Sequence, residues 1–185
     1  MRYLVAALMV WLCGAALAEP RLALVVGNGA YTSVNALKNP AHDAELIAGA
    51  LRASGFEVTL LPDADLATMT AGIAAFGKAL RAAGPEATGL FYYAGHGVQS
   101  FAENYLLPVD AALTDAADLS LVAVDAQVVL RQMASARNRV NIVILDACRN
   151  NPFKDVADLT DQGLAEMSAP TGTFLAYATA PGAVA

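Results

Sequence analysis

Two side chains in this sequence combine a candidate nucleophile with a candidate base. Cys148 follows a nearly unbroken apolar run, Val140 to Leu145, within the stretch RVNIVILDACRNNPF from Arg139 to Phe153. His96 stands between two glycines at the end of TGLFYYAGHG, Thr88 to Gly97. A thiol becomes reactive as its thiolate, and an adjacent imidazole is the usual side chain that takes its proton. Asp146, two residues before the cysteine, does not fit that role, because a nearby negative charge disfavours the thiolate. The carboxylate makes sense if it serves a cationic group on a substrate. The plain alternative is a core cysteine that ends a strand, with Asp146 capping the turn that follows.

The elements that must position these residues can be read from composition. Val140 to Leu145 is rich in β-branched residues, which suits a strand buried on both faces of a parallel sheet. Thr88 to Tyr93 reads as another such strand, ending at Gly95-His96-Gly97. Ligands of open α/β sheets bind outside the carboxyl ends of the strands, where both motifs fall. Side chains alternate along a strand, so Asp146 and Cys148 are expected on one side. Cysteine and histidine meet there if their strands are neighbours.

The remaining elements alternate in kind. Arg21 to Asn28 is a first strand; Gly27 and Gly29 suggest a dinucleotide loop, but Thr32 stands where the third glycine of that fingerprint belongs, so no nucleotide is expected. Asn39 and Pro40 read as N-cap and first helical residue, and Ala44, Ile47, Ala48 and Leu51 form the apolar face of a helix stopping at Gly55. A strand over Phe56 to Leu61 and a helix over Asp65 to Ala83 follow. After the histidine strand come a loop and short hairpin over Gln99 to Asp110, a helix over Val124 to Ala136, the cysteine strand, and a last strand over Thr173 to Ala178. Alternating strands and helices predict a mostly parallel sheet with helices on both faces, a three-layer α/β fold.

Composition bounds the function. The length of 185 residues suits one domain, and 57% hydrophobic content supports a core. A formal charge of −6 without a basic cluster argues against nucleic acid. Met1 to Ala18 has a positive start at Arg2, an apolar run from Tyr3 to Leu17 and a small-x-small site at Ala16-Leu17-Ala18, the pattern of a secretory signal peptide. An uncleaved anchor is the alternative; a lipoprotein is not expected, because Cys13 lacks small residues before it. Cleavage leaves a periplasmic or secreted domain over 19–185, with no membrane attachment and Cys148 as its one cysteine. An idle thiol is a liability in an oxidising compartment, which favours a chemical role.

Tyr92-Tyr93-Ala94-Gly95-His96-Gly97 and Asp146-Ala147-Cys148-Arg149 resemble the two catalytic motifs of the caspase-like cysteine peptidases, in particular the bacterial metacaspase (orthocaspase) branch. The histidine lies roughly fifty residues before the cysteine, as in that family, a match rather than a derivation. Leu22 to Asn28, Asn39 to Ala44 and Asn104 to Asp110 resemble the same family, so the likeness extends over roughly 21–185. The resemblance implies a caspase-like (p20-type) domain with Cys148 as nucleophile, His96 as general acid/base, and the backbone N–H groups of Gly97 and Cys148 as oxyanion hole. It also implies that Asp43 and Asp146 line a primary specificity pocket for Arg or Lys, although His42 stands where the family has asparagine. The expected partner is a peptide or protein substrate.

No metal-binding residue and no cofactor is expected from the residues. Metacaspases often need calcium, but the spacing of Asp110, Asp115, Asp118 and Asp125 misses the calcium-loop pattern. In the family the chain continues into a smaller C-terminal portion, so a p10-like segment or second chain is an expected partner. Its absence from this sequence raises a non-catalytic binding or regulatory module with the same fold as the first alternative. Another cysteine hydrolase, such as an amidase, is the second.

Overall fold

A computed structural model describes residues 19–148, 151–154, 156, 159 and 164–178, without the side chain of Cys148. The signal-type segment Met1 to Ala18 and Arg149 lie outside the described residues. Strand β1 (Arg21–Gly27) is followed by α1 (Pro40–Ala53), β2 (Glu57–Pro62), α2 (Leu66–Ala83), β3 (Thr88–Ser100) and β4 (Glu103–Leu106). A short 3₁₀ turn (Ala116–Asp118) leads into α3 (Leu119–Val122), β5 (Val124–Asp125), α4 (Ala126–Ser135), β6 (Val140–Cys148) and β7 (Thr173–Tyr177).

Five strands pair in parallel in the order β2-β1-β3-β6-β7. The chain moves one way from β1 to β2 and the other way from β2 to β3. Because parallel crossovers are right-handed, α1 and α2 fall on opposite faces. The α1 face buries Val25, Ala44, Ala48, Leu90, Tyr92 and Ala94. The other face buries Leu24, Val26, Met69, Ile73, Leu80, Phe91, Tyr93, Val129, Leu130 and Val143 beneath α2 and α4. Both faces of the central strands are therefore apolar, which explains why β1 and the first part of β3 read as continuous rather than alternating hydrophobic runs. A third cluster, with Tyr31, Val98, Tyr105, Leu107 and Leu119, lies near the carboxyl ends of the strands.

Two local expectations are corrected. The histidine strand does not stop at Gly97 but runs on to Ser100, changing partner as it goes: β6 pairs with it up to His96, and β4 pairs antiparallel with it from Gly97. Val124 and Asp125 form a short strand against β4, and Asp125 then caps α4 through Gln127 N–H, so that helix begins at Ala126. Asn39 and Pro40 are the N-cap and first residue of α1 as expected, although the Asn39 side chain makes no capping hydrogen bond; Pro40 begins the helix without needing a donor. Among the described residues, no helix is long and apolar enough to cross a membrane.

Candidate active site

The reversal of chain direction between β1 and β3 leaves a crevice at their carboxyl ends, where open α/β sheets bind ligands. His96 and Cys148 are direct register partners on β3 and β6. Adjacent strands run about 4.8 Å apart, so the two backbone positions are immediate neighbours at the sheet edge. Ala94 and Asp146 are paired two residues earlier in the same ladder.

The imidazole of His96 is buried, with 5% of the residue exposed. Its Nε2 lies 2.8 Å from the carbonyl oxygen of Asn35. A carbonyl can only accept, so in the neutral ring the proton is on Nε2 and Nδ1 keeps its lone pair. Nδ1 is buried and has no hydrogen-bond partner among the described residues. Burial pushes the His96 pKa below its ordinary value, and the Asn35 carbonyl, which favours the protonated ring, opposes that shift in part. The neutral ring, the form that can accept a proton, is thereby favoured near pH 7.

Two phenols brace the histidine backbone. His96 N–H donates to the Tyr31 hydroxyl at 2.7 Å, and the Tyr31 ring lies tilted against the imidazole with centroids 4.6 Å apart. The Tyr93 hydroxyl lies 2.7 Å from His96 O and 2.9 Å from Leu107 O. These phenols explain Gly95: a Cβ there would sit 2.6 Å from the Tyr31 hydroxyl and 2.7 Å from that of Tyr93. Any side chain would have to displace the groups that hold His96. Sequence reasoning missed Tyr31, Asn35 and the bracing role of Tyr93, because none has a local signature of contact with a histidine far away in the chain.

Beside His96 lies a cavity of about 250 Å³ walled by Leu37 to Pro40, Asp43, Ala94, Gly95 and Asp146. Asp43, from the first turn of α1, and Asp146, from β6, thus share one pocket. The Tyr92 hydroxyl donates to Asp146 Oδ2 at 3.1 Å. Burial first, then the negative charges of Asp146 and Asp43, push the Tyr92 pKa above its ordinary value, so the phenol remains a neutral donor. Lys38 also lines this cavity, a cation that the sequence did not single out for the pocket. A somewhat larger cleft, about 320 Å³, opens between α2 and α4, but it holds neither histidine nor cysteine. Its carboxylate, Asp125, is already paired with Arg131 at 3.0 Å.

Calcium would need several oxygens converging on one point. Instead Asp110 accepts from Leu66 N–H, Asp115 from Ala117 N–H and Asp125 from Gln127 N–H. No group of three or more His, Cys, Asp or Glu side chains that could hold a metal ion gathers among the described residues.

A mostly parallel sheet between helical layers, in this strand order, is the caspase-like class of α/β domain. The "Caspase domain" family of C14 peptidases matches residues 20–185, and the chain belongs to this family of cysteine peptidases. It is 30% identical over 173 residues to the mucosa-associated lymphoid tissue lymphoma translocation protein 1 homolog of Mus musculus, covering 93% of this chain and 20% of that protein. The Homo sapiens protein of that name is 30% identical over 170 residues, 91% of this chain and 19% of its own length. The chain thus spans about a fifth of the curated relatives it matches. Protein GSU0716 from Geobacter sulfurreducens has the same fold, with a TM-score of 0.56 at 21% identity over 71% of this chain and 52% of the solved one.

Proposed function

We propose that this domain is a cysteine endopeptidase that cleaves after Arg or Lys, with Cys148 as nucleophile and His96 as its base. The observation that carries the reading is the register of β3 and β6, which pairs His96 with Cys148 beside the two-carboxylate pocket. In the proposed reaction Cys148 passes its proton to Nδ1 of His96 and its sulfur attacks the scissile carbonyl. The imidazolium then protonates the leaving amine, and water completes hydrolysis of the thioester.

In this proposal the Gly97 N–H is one oxyanion donor. Such a donor is worth roughly 3 kcal/mol of transition-state stabilisation. The N–H of Cys148 is the second donor in this proposal. Asp43 and Asp146 attract the substrate cation, and Tyr92 holds Asp146.

The test is a peptidyl inhibitor with Arg at the cleaved position and a thiol-reactive group in place of the scissile bond. It should modify Cys148, as read by peptide mass spectrometry, and an excess of Arg peptide should protect. An unmodified Cys148 under conditions that label ordinary thiols would refute the assignment.

Export is a further part of the proposal, motivated by the Met1 to Ala18 pattern. When made in a secreting bacterium, the mature chain should begin at Glu19. Intact mass of the periplasmic or secreted product decides it: a species retaining Met1 to Ala18 counts against cleavage.

A further inference from the structure

One loop, Asn28 to Asn39 between β1 and α1, delivers two separate parts of the candidate site. Its middle supplies Tyr31 and the Asn35 carbonyl, which together contact the backbone N–H, the ring face and Nε2 of His96. Its end supplies Leu37, Lys38 and Asn39, one wall of the pocket that holds Asp43 and Asp146. The loop is closed on itself at its base, where the N–H groups of Tyr31 and Leu37 both donate to Gly29 O at 2.9 Å.

That base is held from outside by Asp63. A single carboxylate oxygen, Oδ1, accepts from Gly29 N–H and Ala30 N–H, each at 2.8 Å. Asp63 itself stands just past β2 with φ at +47°, a left-handed conformation that aspartate, asparagine and glycine tolerate best. Its N–H donates to Gly27 O at 2.9 Å, and the next residue, Ala64, is held by both ends of the Asn28 amide. The turn after β2 is therefore rigidly joined to the end of β1, and the carboxylate reaches from it to the foot of the loop. Fixing two consecutive N–H groups at the foot limits how the rest of the loop can swing. A small displacement there would move both the Asn35 carbonyl and the Leu37 to Asn39 wall.

We propose that Asp63 is a positioning residue that sets the His96 imidazole and the substrate pocket together through this loop. Its kinetic consequences rest on the peptidase reading above; its effect on the imidazole does not. Two substitutions separate the carboxylate from the backbone. Asp63→Gly accepts the positive φ but removes the acceptor, whereas Asp63→Asn accepts it and keeps Oδ1.

The measurements are peptidase kinetics on an Arg peptide and long-range proton–nitrogen NMR of the imidazoles. The chain has two histidines, so a His42→Gln variant assigns the His96 signals. The native protein should show the Nε2–H tautomer. Asp63→Gly should lose that single pattern, with kcat falling and KM rising to give a roughly 10- to 100-fold loss of kcat/KM. Asp63→Asn should keep the pattern and stay within about threefold of the native kcat/KM.

In an active enzyme, an unchanged tautomer pattern or an unchanged kcat/KM in Asp63→Gly overturns the proposal. So does an Asp63→Asn variant as impaired as Asp63→Gly, or an Asp63→Gly variant that does not fold at 25 °C. If the native protein cleaves no peptide, the peptidase reading fails alone. The imidazole signals of Asp63→Gly then decide the role of Asp63: altered signals support it and unaltered ones overturn it.

Discussion

Cys148→Ala is expected to lower kcat/KM for an Arg peptide by about 10³- to 10⁶-fold, and His96→Ala by a comparable factor. The two effects should not multiply in the double variant, because thiol and imidazole act as one unit in the attack. Neither change should unfold the domain. The parallel pairing of β3 with β6 runs from Thr88 with Val140 to His96 with Cys148, so both residues stand at its last rung. The backbone N–H and C=O of residue 96 would keep their Tyr31 and Tyr93 partners in the alanine variant.

The pH profile gives a second handle on the same assignment. His96 titrates below 6.5 because burial disfavours its charged form. If it is the base, kcat/KM should lose activity on the acid side only below that ordinary histidine value. Peptidase activity in Cys148→Ala equal to that of the native protein would remove the cysteine from the mechanism.

Selectivity is the second large effect. Arg and Lys peptides should be cleaved at least about 10³-fold better than Asp peptides, since a substrate carboxylate would enter a pocket with two carboxylates already in it. A partly buried anion near a thiolate costs catalysis unless it is neutralised, and a substrate guanidinium would neutralise it while orienting the scissile bond through a paired contact. Lys38 offsets part of the negative charge but leaves the sign of the pocket unchanged. Asp146→Asn should raise KM and lower kcat/KM for the Arg peptide by about 1–3 kcal/mol, roughly 5- to 150-fold. The amide oxygen can still accept from the Tyr92 hydroxyl, so the fold should survive. Equal cleavage of Asp and Arg peptides, or Arg selectivity untouched by Asp146→Asn, would make Asp146 a structural residue.

Much of the architecture was legible in the residues themselves. Continuous β-branched and aromatic runs such as Val140 to Leu145 identify strands buried on both faces, since only burial explains so little alternation. The Cys148 motif could be placed at the end of its strand, where the apolar run gives way to Asp-x-Cys, whereas the glycines around His96 mark only the end of the parallel part of β3. The family could be named for the same reason: its motifs are local in sequence. Strand limits were less legible. β3 continues past His96 because antiparallel β4 takes over its hydrogen bonds, and the local residues carry no mark of a partner that arrives later in the chain.

Only the tertiary structure decided what surrounds the histidine. The Asn35 carbonyl assigns the proton of the neutral ring to Nε2, the Tyr31 and Tyr93 hydroxyls hold the backbone, and Lys38 joins the pocket of Asp43 and Asp146. These contacts join residues separated by tens of positions, and they arise because β1 and β3 are neighbours with the loop from β1 folded over the end of β3. A carbonyl, a phenol or a lysine in a loop has no periodicity and no spacing rule that betrays its partner. Its role exists only once the sheet has brought the loop and the histidine together.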